Sequence, residues 1–510
     1  MKKLIFTLIA VLMVAFIATA QTIQGKTLST TEVAVAVNET TTYQTIEGFG
    51  ATIATSRRGL ASQILAEPNS DNITTEQRTE IYRLVFGQVG ISMGNMFMSL
   101  LELNQNVYDY SESEFFHTSI MRGAIANGQS VANYQPAYNI DHRGMTWMTS
   151  LRAQNYQAYL RACGNHVVEG LTKWKQLTGI EPPIAMLFNE PLSGNGELRG
   201  GSTGEVVDIV KAVGAAVRRA KFRTVKFYLP NEETTAKSLE TATAVLNDRT
   251  AKQYVGAIGY HTYPYGSTYT ELTNILATSG AGTPDAAEIQ ARTQLKNLAQ
   301  AHQIPLWMTE VSNGNYANPN STTTAIGSMG HVRARAIHIH DELKYANAAA
   351  FFGMIAFWDK RTHLEHFGAG ASMNQELDSI VLLENEGTNN TATITGMGHA
   401  IGHYARYVKK GALRIEAASS NNKVLVSVFK KSNQYSFVLI NNETTAQTIN
   451  VTLSNGRLGT ILRGEHSFGT SNRWTALANF SPNSPTTFQI TLQPESVTSV
   501  TDAPAAPLPV

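Results

Sequence analysis

Pro182-Pro183-Ile184-Ala185-Met186-Leu187-Phe188-Asn189-Glu190-Pro191 is an apolar run of strand length that ends in an amide, a carboxylate and a proline. Ile184 to Phe188 does not alternate apolar with polar, which is the pattern of a parallel strand buried on both faces. Pro191 has no N–H to give to a sheet ladder, so the strand should stop before it. Glu190 is therefore expected at the carboxyl end of a strand, beside Asn189, where α/β sheets and barrels collect their functional groups. Taken alone, such an ending also fits a glutamate facing solvent. A second stretch of the same kind follows. Ile304-Pro305-Leu306-Trp307-Met308-Thr309-Glu310-Val311 is again a short apolar run that closes on Glu.

Working outward from these two runs, strand-like and helix-like segments alternate for about 300 residues, the signature of an α/β domain. The expected strands are Gln44–Thr52, Ser92–Leu101, a third somewhere within Ala137–Thr149, then Ile184–Glu190, Val225–Asn231, Val255–Tyr263, Leu306–Glu310 and Ala349–Trp358. Helical spacing of apolar residues lies between them, over 155–177, 205–220 and 326–345. Eight strands with intervening helices predict a (β/α)₈ TIM barrel over residues 44–405. The polar stretch Asn104–Asp141 does not fit the alternation and reads as a long loop on the functional side. From residue 406 to 502 the texture changes to short, evenly spaced strands divided by turns, which predicts a β-sandwich side domain. The Thr- and Val-rich segment 21–43 should contribute a strand to it. Ala503–Val510, rich in Pro and Ala, is expected to be a disordered tail.

Lys2 and Lys3, the apolar run Leu4–Ala18 and the small-x-small ending Ala18-Thr19-Ala20 predict a signal peptide cleaved after Ala20, and hence a secreted or periplasmic protein. The one cysteine, Cys163, leaves no disulfide framework and is expected as a small apolar residue on the inner face of a helix. Charged residues make up only 15% of the chain and the net charge is +1, so nothing favours nucleic acid or an anionic membrane as partner. Membrane insertion is not expected, and the chain reads as a monomer. No metal or other cofactor is expected: His338 and His340, two apart on a helix, should point in different directions.

Glu190 and Glu310, on the fourth and seventh strands, would meet at one mouth of a closed barrel. Two carboxyl groups across a cleft are the working parts of glycoside hydrolysis: one protonates the leaving oxygen and the other attacks the anomeric carbon or activates water. Thr45-Ile46-Glu47-Gly48-Phe49-Gly50-Ala51, Phe188-Asn189-Glu190-Pro191, His261-Thr262-Tyr263 and Leu306-Trp307-Met308-Thr309-Glu310-Val311, in that order, resemble glycoside hydrolase family 30. Gly402-His403-Tyr404-Ala405-Arg406-Tyr407-Val408 is similar to that family's junction from barrel to side domain. Asn472-Arg473-Trp474 is similar to the end of the sandwich in its bacterial xylanase branch.

The resemblance implies a retaining mechanism with Glu190 as acid/base and Glu310 as nucleophile. It implies that Asn189 bonds a sugar hydroxyl, that Tyr263 contacts Glu310, that His261 lines the site and that Trp358 stacks on sugar. It also implies that Arg361 binds a glucuronate branch. The chain departs from the family pattern on the second and third strands. Met98-Ser99-Leu100-Leu101-Glu102-Leu103-Asn104 stands where the family has Arg and then Asp, leaving Glu102 or Asn104 as substitutes, and Trp147 is expected near the cleft. The reading is a secreted, xylanase-like retaining β-glycosidase acting on plant or microbial polysaccharide. The alternatives are β-1,6-glucanase, galactanase or glucosylceramidase-like activity and, in another class, a non-catalytic carbohydrate-binding protein.

Overall fold

The computed structural model describes residues 31–53, 73–96, 100–142, 144–194, 196–278, 284–312, 327–359, 379–384 and 390–504. Residues 1–20, read as a signal peptide, and Arg361 lie outside them.

Eight short parallel strands make the barrel: Gly48–Ile53, Met93–Met96, Tyr134–Pro136, Ile184–Met186, Lys226–Pro230, Val255–His261, Leu306–Glu310 and Ala350–Gly353. In chain order their neighbours run 3-2-1-8-7-6-5-4. A parallel bridge between Ala137 and Met186 joins the third to the fourth. The barrel is therefore a (β/α)₈ TIM barrel with its interior filled by Met93, Ala137, Met186, Tyr228, Ala257, Trp307, Ala350 and Phe352. Gly50 is needed for closure, because a Cβ there would lie 2.0 Å from the Met93 carbonyl oxygen on the next strand.

The expected third strand is misplaced. It is Tyr134–Pro136, upstream of Ala137–Thr149, and is only three residues long. Asn104–Asp141 is not a loop. It holds a hairpin, Leu101–Asn104 against Val107–Asp109, and a run of helix over 111–126 before the third strand. Phe116, Ile120 and Ala124, four apart, bury one face of that helical run in the barrel's outer core. The fourth strand's ladder ends at Met186 rather than Glu190, because the chain turns inward toward Pro191. The eighth ends at Gly353. Ile355–Asp359 then leaves the barrel and pairs with Ser379–Glu384 in a separate three-stranded sheet.

Helices Tyr156–Thr178 and Thr203–Arg219 close on the barrel with Val167, Leu171, Val206, Ile209, Val210 and Val213. Cys163 is buried on the first of them. The carboxyl-terminal strands, with Thr31–Thr45 among them, form one nine-stranded sheet. Phe437 and Phe488 sit five positions apart in strand order, yet their rings lie 5.0 Å apart, so the sheet folds over its own core. Thr31–Thr45 pairs antiparallel with Leu413–Ser419 and parallel with Gln447–Leu453. The barrel's outer core runs without a break into Leu425, Phe429, Val438, Ile440 and Val497 of this sheet. Among the described residues no helix is long and apolar enough to cross a membrane.

Candidate active site

The mouth of the barrel is organised by the turn after the fourth strand. Leu187 and Phe188 stay buried after the ladder ends, and Glu190 adopts a left-handed backbone, φ +49°. A non-glycine residue is held there only by its surroundings. The Glu190 N–H donates to the Asn231 carbonyl at 2.8 Å, the Asn189 N–H to Glu197 at 2.6 Å and the Leu192 N–H to Glu232 at 3.2 Å.

Asn231, fully buried at the end of the fifth strand, reaches both ways. Its amide N–H donates to the Phe188 carbonyl at 3.0 Å. Its amide oxygen accepts from the Thr309 hydroxyl at 2.7 Å, one residue before Glu310. One side chain thus ties together the strand ends that carry Glu190 and Glu310.

His261 lies between the two carboxylates, 99% buried. Its Nδ1 is 3.0 Å from Glu190 Oε1 and 3.9 Å from Glu310 Oε1. Burial alone would depress its pKa. The charge of Glu310, the hydrogen bond with Glu190 and the charges of Glu190 and Glu232 outweigh burial and raise it above the ordinary imidazole range. The Tyr263 hydroxyl donates to Glu310 Oε1 at 3.1 Å. One ligand atom from each of Glu190, His261 and Glu310 lies within 4.8 Å of the other two. Among the described residues this is the group that could hold a metal ion, a juxtaposition the sequence alone does not reveal. The same oxygens already serve His261 and Tyr263. A cavity of about 440 Å³ opens over Glu190, Tyr263 and Glu310, walled by Glu233, Thr234, Pro264 and Ser267.

The loop bearing Tyr263 is braced from behind. Thr262 Oγ1 is 3.3 Å from His338 Nε2, Tyr265 donates to Asp341 at 2.6 Å, and Arg335 donates to the Gly266 and Ser312 carbonyls. His340 faces elsewhere, with Nδ1 2.9 Å from Ser427 Oγ in the side domain.

The other sequence candidates are dispersed. Asn189 is half-buried beside Glu190, and its carboxamide makes no hydrogen bond with a described residue. Trp358 is 6% exposed. It packs with Ile355, Leu382 and Met354 on the small sheet, and Met354 Sδ is 3.9 Å from the Tyr263 hydroxyl. The ring is carried on the small sheet because the barrel's eighth strand ends at Gly353 and the chain resumes as Ile355–Asp359. Asn104 stands exposed on the hairpin. Trp147, on the helix Thr146–Gln154, donates its indole N–H to the Glu102 carbonyl at 2.7 Å. The Glu102 carboxylate is turned away from the mouth, toward His166 on the helix Tyr156–Thr178 at 3.1 Å, so it does not substitute for a cleft residue.

Asn231 and Glu232 order the strand ends around Glu190, and the sequence reading passed over them. Their signal was present, since Pro230-Asn231-Glu232 places Asn-Glu at a strand end just as Phe188-Asn189-Glu190 does.

No protein-family model matches the chain, and no curated protein matches it in sequence. Solved structures do match. The chain has the fold of glycoside hydrolase family 30 structures. A GH30 endoxylanase from Clostridium papyrosolvens C71 superposes with a TM-score of 0.60 at 18% identity, over 92% of this chain and 99% of that one. The catalytic domain of GH30 xylanase C from Talaromyces cellulolyticus gives 0.63 at 15%, over 92% and 99%. The endo-β1,6-glucanase BT3312 gives 0.60 at 18%, over 92% and 94%.

Proposed function

We propose that the chain is a secreted retaining β-glycoside hydrolase that cleaves a polysaccharide by double displacement. The observation that carries this reading is the Glu190–His261–Glu310 cluster, with carboxylate oxygens within 4.8 Å of each other at the open end of the barrel. Inverting enzymes hold their carboxyls about 6.5–9.5 Å apart to admit water, whereas retaining ones sit near 5–5.5 Å so that one carboxylate attacks directly. The short spacing supports the second arrangement.

In this mechanism Glu190 carries the proton and gives it to the departing glycosidic oxygen. The Glu310 carboxylate attacks the anomeric carbon as that bond breaks, forming a glycosyl ester on Glu310. Glu190, now a carboxylate, removes a proton from water, which displaces Glu310 and restores both groups with net retention. Tyr263 orients Glu310 by donating to the oxygen that is not attacking. His261 holds Glu190 from the buried side, with its Nδ1 3.0 Å from Glu190 Oε1. Asn189 is placed to bond a sugar hydroxyl beside the acid.

A xylan-like backbone is the favoured substrate. The GH30 endoxylanase and xylanase C share the fold, and so does the β1,6-glucanase, which keeps β-1,6-glucan as the second reading. The departures on the second and third strands bear on this choice.

Hydrolysis of an activated aryl β-glycoside tests the mechanism. Glu310→Gln should abolish turnover. Glu190→Gln should lose about 10²- to 10⁴-fold in kcat/KM with a poor leaving group and far less with a nitrophenol, because kcat/KM reports the first step and only the poor leaving group needs the proton there. Unchanged turnover in Glu310→Gln would sink the proposal, as would anomeric inversion seen by NMR. Release of sugars from xylan, glucuronoxylan, β-1,6-glucan and galactan separates the substrates.

A further inference from the structure

Asn139 sits just beyond the third barrel strand, one strand away from Asn189 and Glu190. The Tyr138 N–H donates to the Met186 carbonyl, and the Ile140 N–H to the Leu187 carbonyl. The chain therefore still runs alongside the fourth strand at this point. Tyr138 and Ile140 both belong to the outer core, and the Tyr138 hydroxyl donates to the Gly170 carbonyl on the surrounding helix. Ala137 belongs to the barrel interior. Successive side chains on an extended segment alternate sides, so Asn139 shares the inner face with Ala137.

Asn139 is 3% exposed, and neither its amide nitrogen nor its amide oxygen has a hydrogen-bond partner among the described residues. A buried carboxamide offers two donors and an acceptor with two lone pairs. Leaving such groups unmade costs about 1–3 kcal/mol each. Native folds keep such groups rarely, and then for a reason. Thr52 repeats the pattern on the first strand: the residue is 4% exposed and its hydroxyl has no partner among the described residues. Asn95, in register with Thr52, turns its amide N–H to Met186 Sδ inside the barrel at 3.3 Å. Among the described residues, Thr52, Asn95, Gln135 and Asn139 thus give this side of the inner wall uncharged amide and hydroxyl groups.

We propose that Asn139 binds two adjacent hydroxyls of an uncharged sugar unit held beside Glu190 and Glu310, and so helps to fix which sugar this site accepts. The proposal rests on the hydrolase reading and assigns a specificity-determining contact within it. A donor and an acceptor side by side match a vicinal diol. The absence of any cation among Thr52, Asn95, Gln135 and Asn139 matches a neutral ring rather than a carboxylated one.

The test is calorimetric binding of β-1,4-xylohexaose and of the β-1,6-linked glucose hexamer to the Glu190→Gln chain, with and without Asn139→Leu or Asn139→Ser. Thermal melting of the unliganded single variants, and turnover by the unmutated enzyme and by its Asn139→Leu variant, are measured in parallel. Asn139→Leu should weaken the hexamer that binds by about 10-fold or more. Its unliganded melting temperature should be unchanged or higher, since an unpaired buried amide is replaced by an apolar group of similar size. Asn139→Ser, with one hydroxyl left, should fall between. An equal Kd in all three chains overturns the proposal. So does a lower melting temperature for Asn139→Leu, because the amide would then be working inside the unliganded fold. Binding of neither hexamer overturns it as well. Turnover that does not depend on Asn139 overturns the proposal but leaves the hydrolase reading standing. Asn139-dependent binding without turnover does the reverse.

Discussion

Asn231 makes four hydrogen bonds from one buried position: to Phe188 and Thr309 through its side chain, and to Glu190 and Gly259 through its backbone. Removing the side chain strands the Phe188 carbonyl, at about 1–3 kcal/mol, and leaves the Thr309 hydroxyl only its 3.3 Å bond to the Tyr260 carbonyl. Asn231→Ala should therefore lower stability by a few kcal/mol in urea melts. It should also lower kcat more than it raises KM, because it loosens the spacing of the carboxylates rather than any sugar contact. Glu232, next to it, is fully buried. Burial raises its pKa to about 7, against weaker lowering by the Leu192 N–H, the Thr241 hydroxyl, Lys237 and His261. The unfolded value is about 4.3, so between roughly pH 4 and pH 7 the folded chain keeps a proton that the unfolded chain has released. Stability should accordingly fall as pH rises through that window and level off above it, by an amount on the order of 3 kcal/mol. Glu232→Gln, neutral throughout, should flatten the difference in melting temperature between pH 5 and pH 8. Glu190 and Glu310 were legible because each ends a readable apolar run. Asn139, Asn231 and the central place of His261 were not, because they depend on which strand ends become neighbours, and that information lies in closure of the barrel rather than in any local window.

At the scale of elements, legibility followed length and regularity. Leu306–Glu310 was delimited as it stands in the fold, and the helix expected over 155–177 is Tyr156–Thr178. The third strand escaped because Tyr134-Gln135-Pro136 is three residues long and contains a proline and a glutamine. The helical run over 111–126 escaped because its middle turn, Phe116–Met121, is widened to a π-helix, which breaks the 3.6-residue period, and because Gly123 argues against a helix. Gly123 has a packing cause. A Cβ there would fall 2.1 Å from the Tyr82 ring. Gly123→Ala, stabilising in an exposed helix, should instead cost about 1–3 kcal/mol here by overpacking. Relief of that cost in the double variant with Tyr82→Leu would show that the ring is responsible.

At the scale of the whole molecule, the barrel's outer core continues into one face of the side-domain sheet, and the helix Gly396–Ala405 between them is buried except at His399. Arg406 reinforces the joint by pairing with Glu465 at 2.6 Å, donating to the Gln88 carbonyl and lying 4.8 Å over the Trp474 ring. Calorimetry should therefore show a single unfolding transition, and a chain ended at Ala405 should fail to give a folded barrel. Two separated transitions would contradict this reading of the joint.

The strand Thr31–Thr45 adds a consequence in time. It is made about 380 residues before its partners Leu413–Ser419 and Gln447–Leu453. At about 5–20 residues per second, the gap of roughly 380 residues is some 20–80 s during which a β-prone segment has no native neighbour. Val33, Val35 and Val37, which finish as core, are exposed throughout that interval. The amino-terminal strand is thus the part of the nascent chain most in need of a holding partner. Completion of the fold is gated by the arrival of the strands that begin at Leu413 and Gln447.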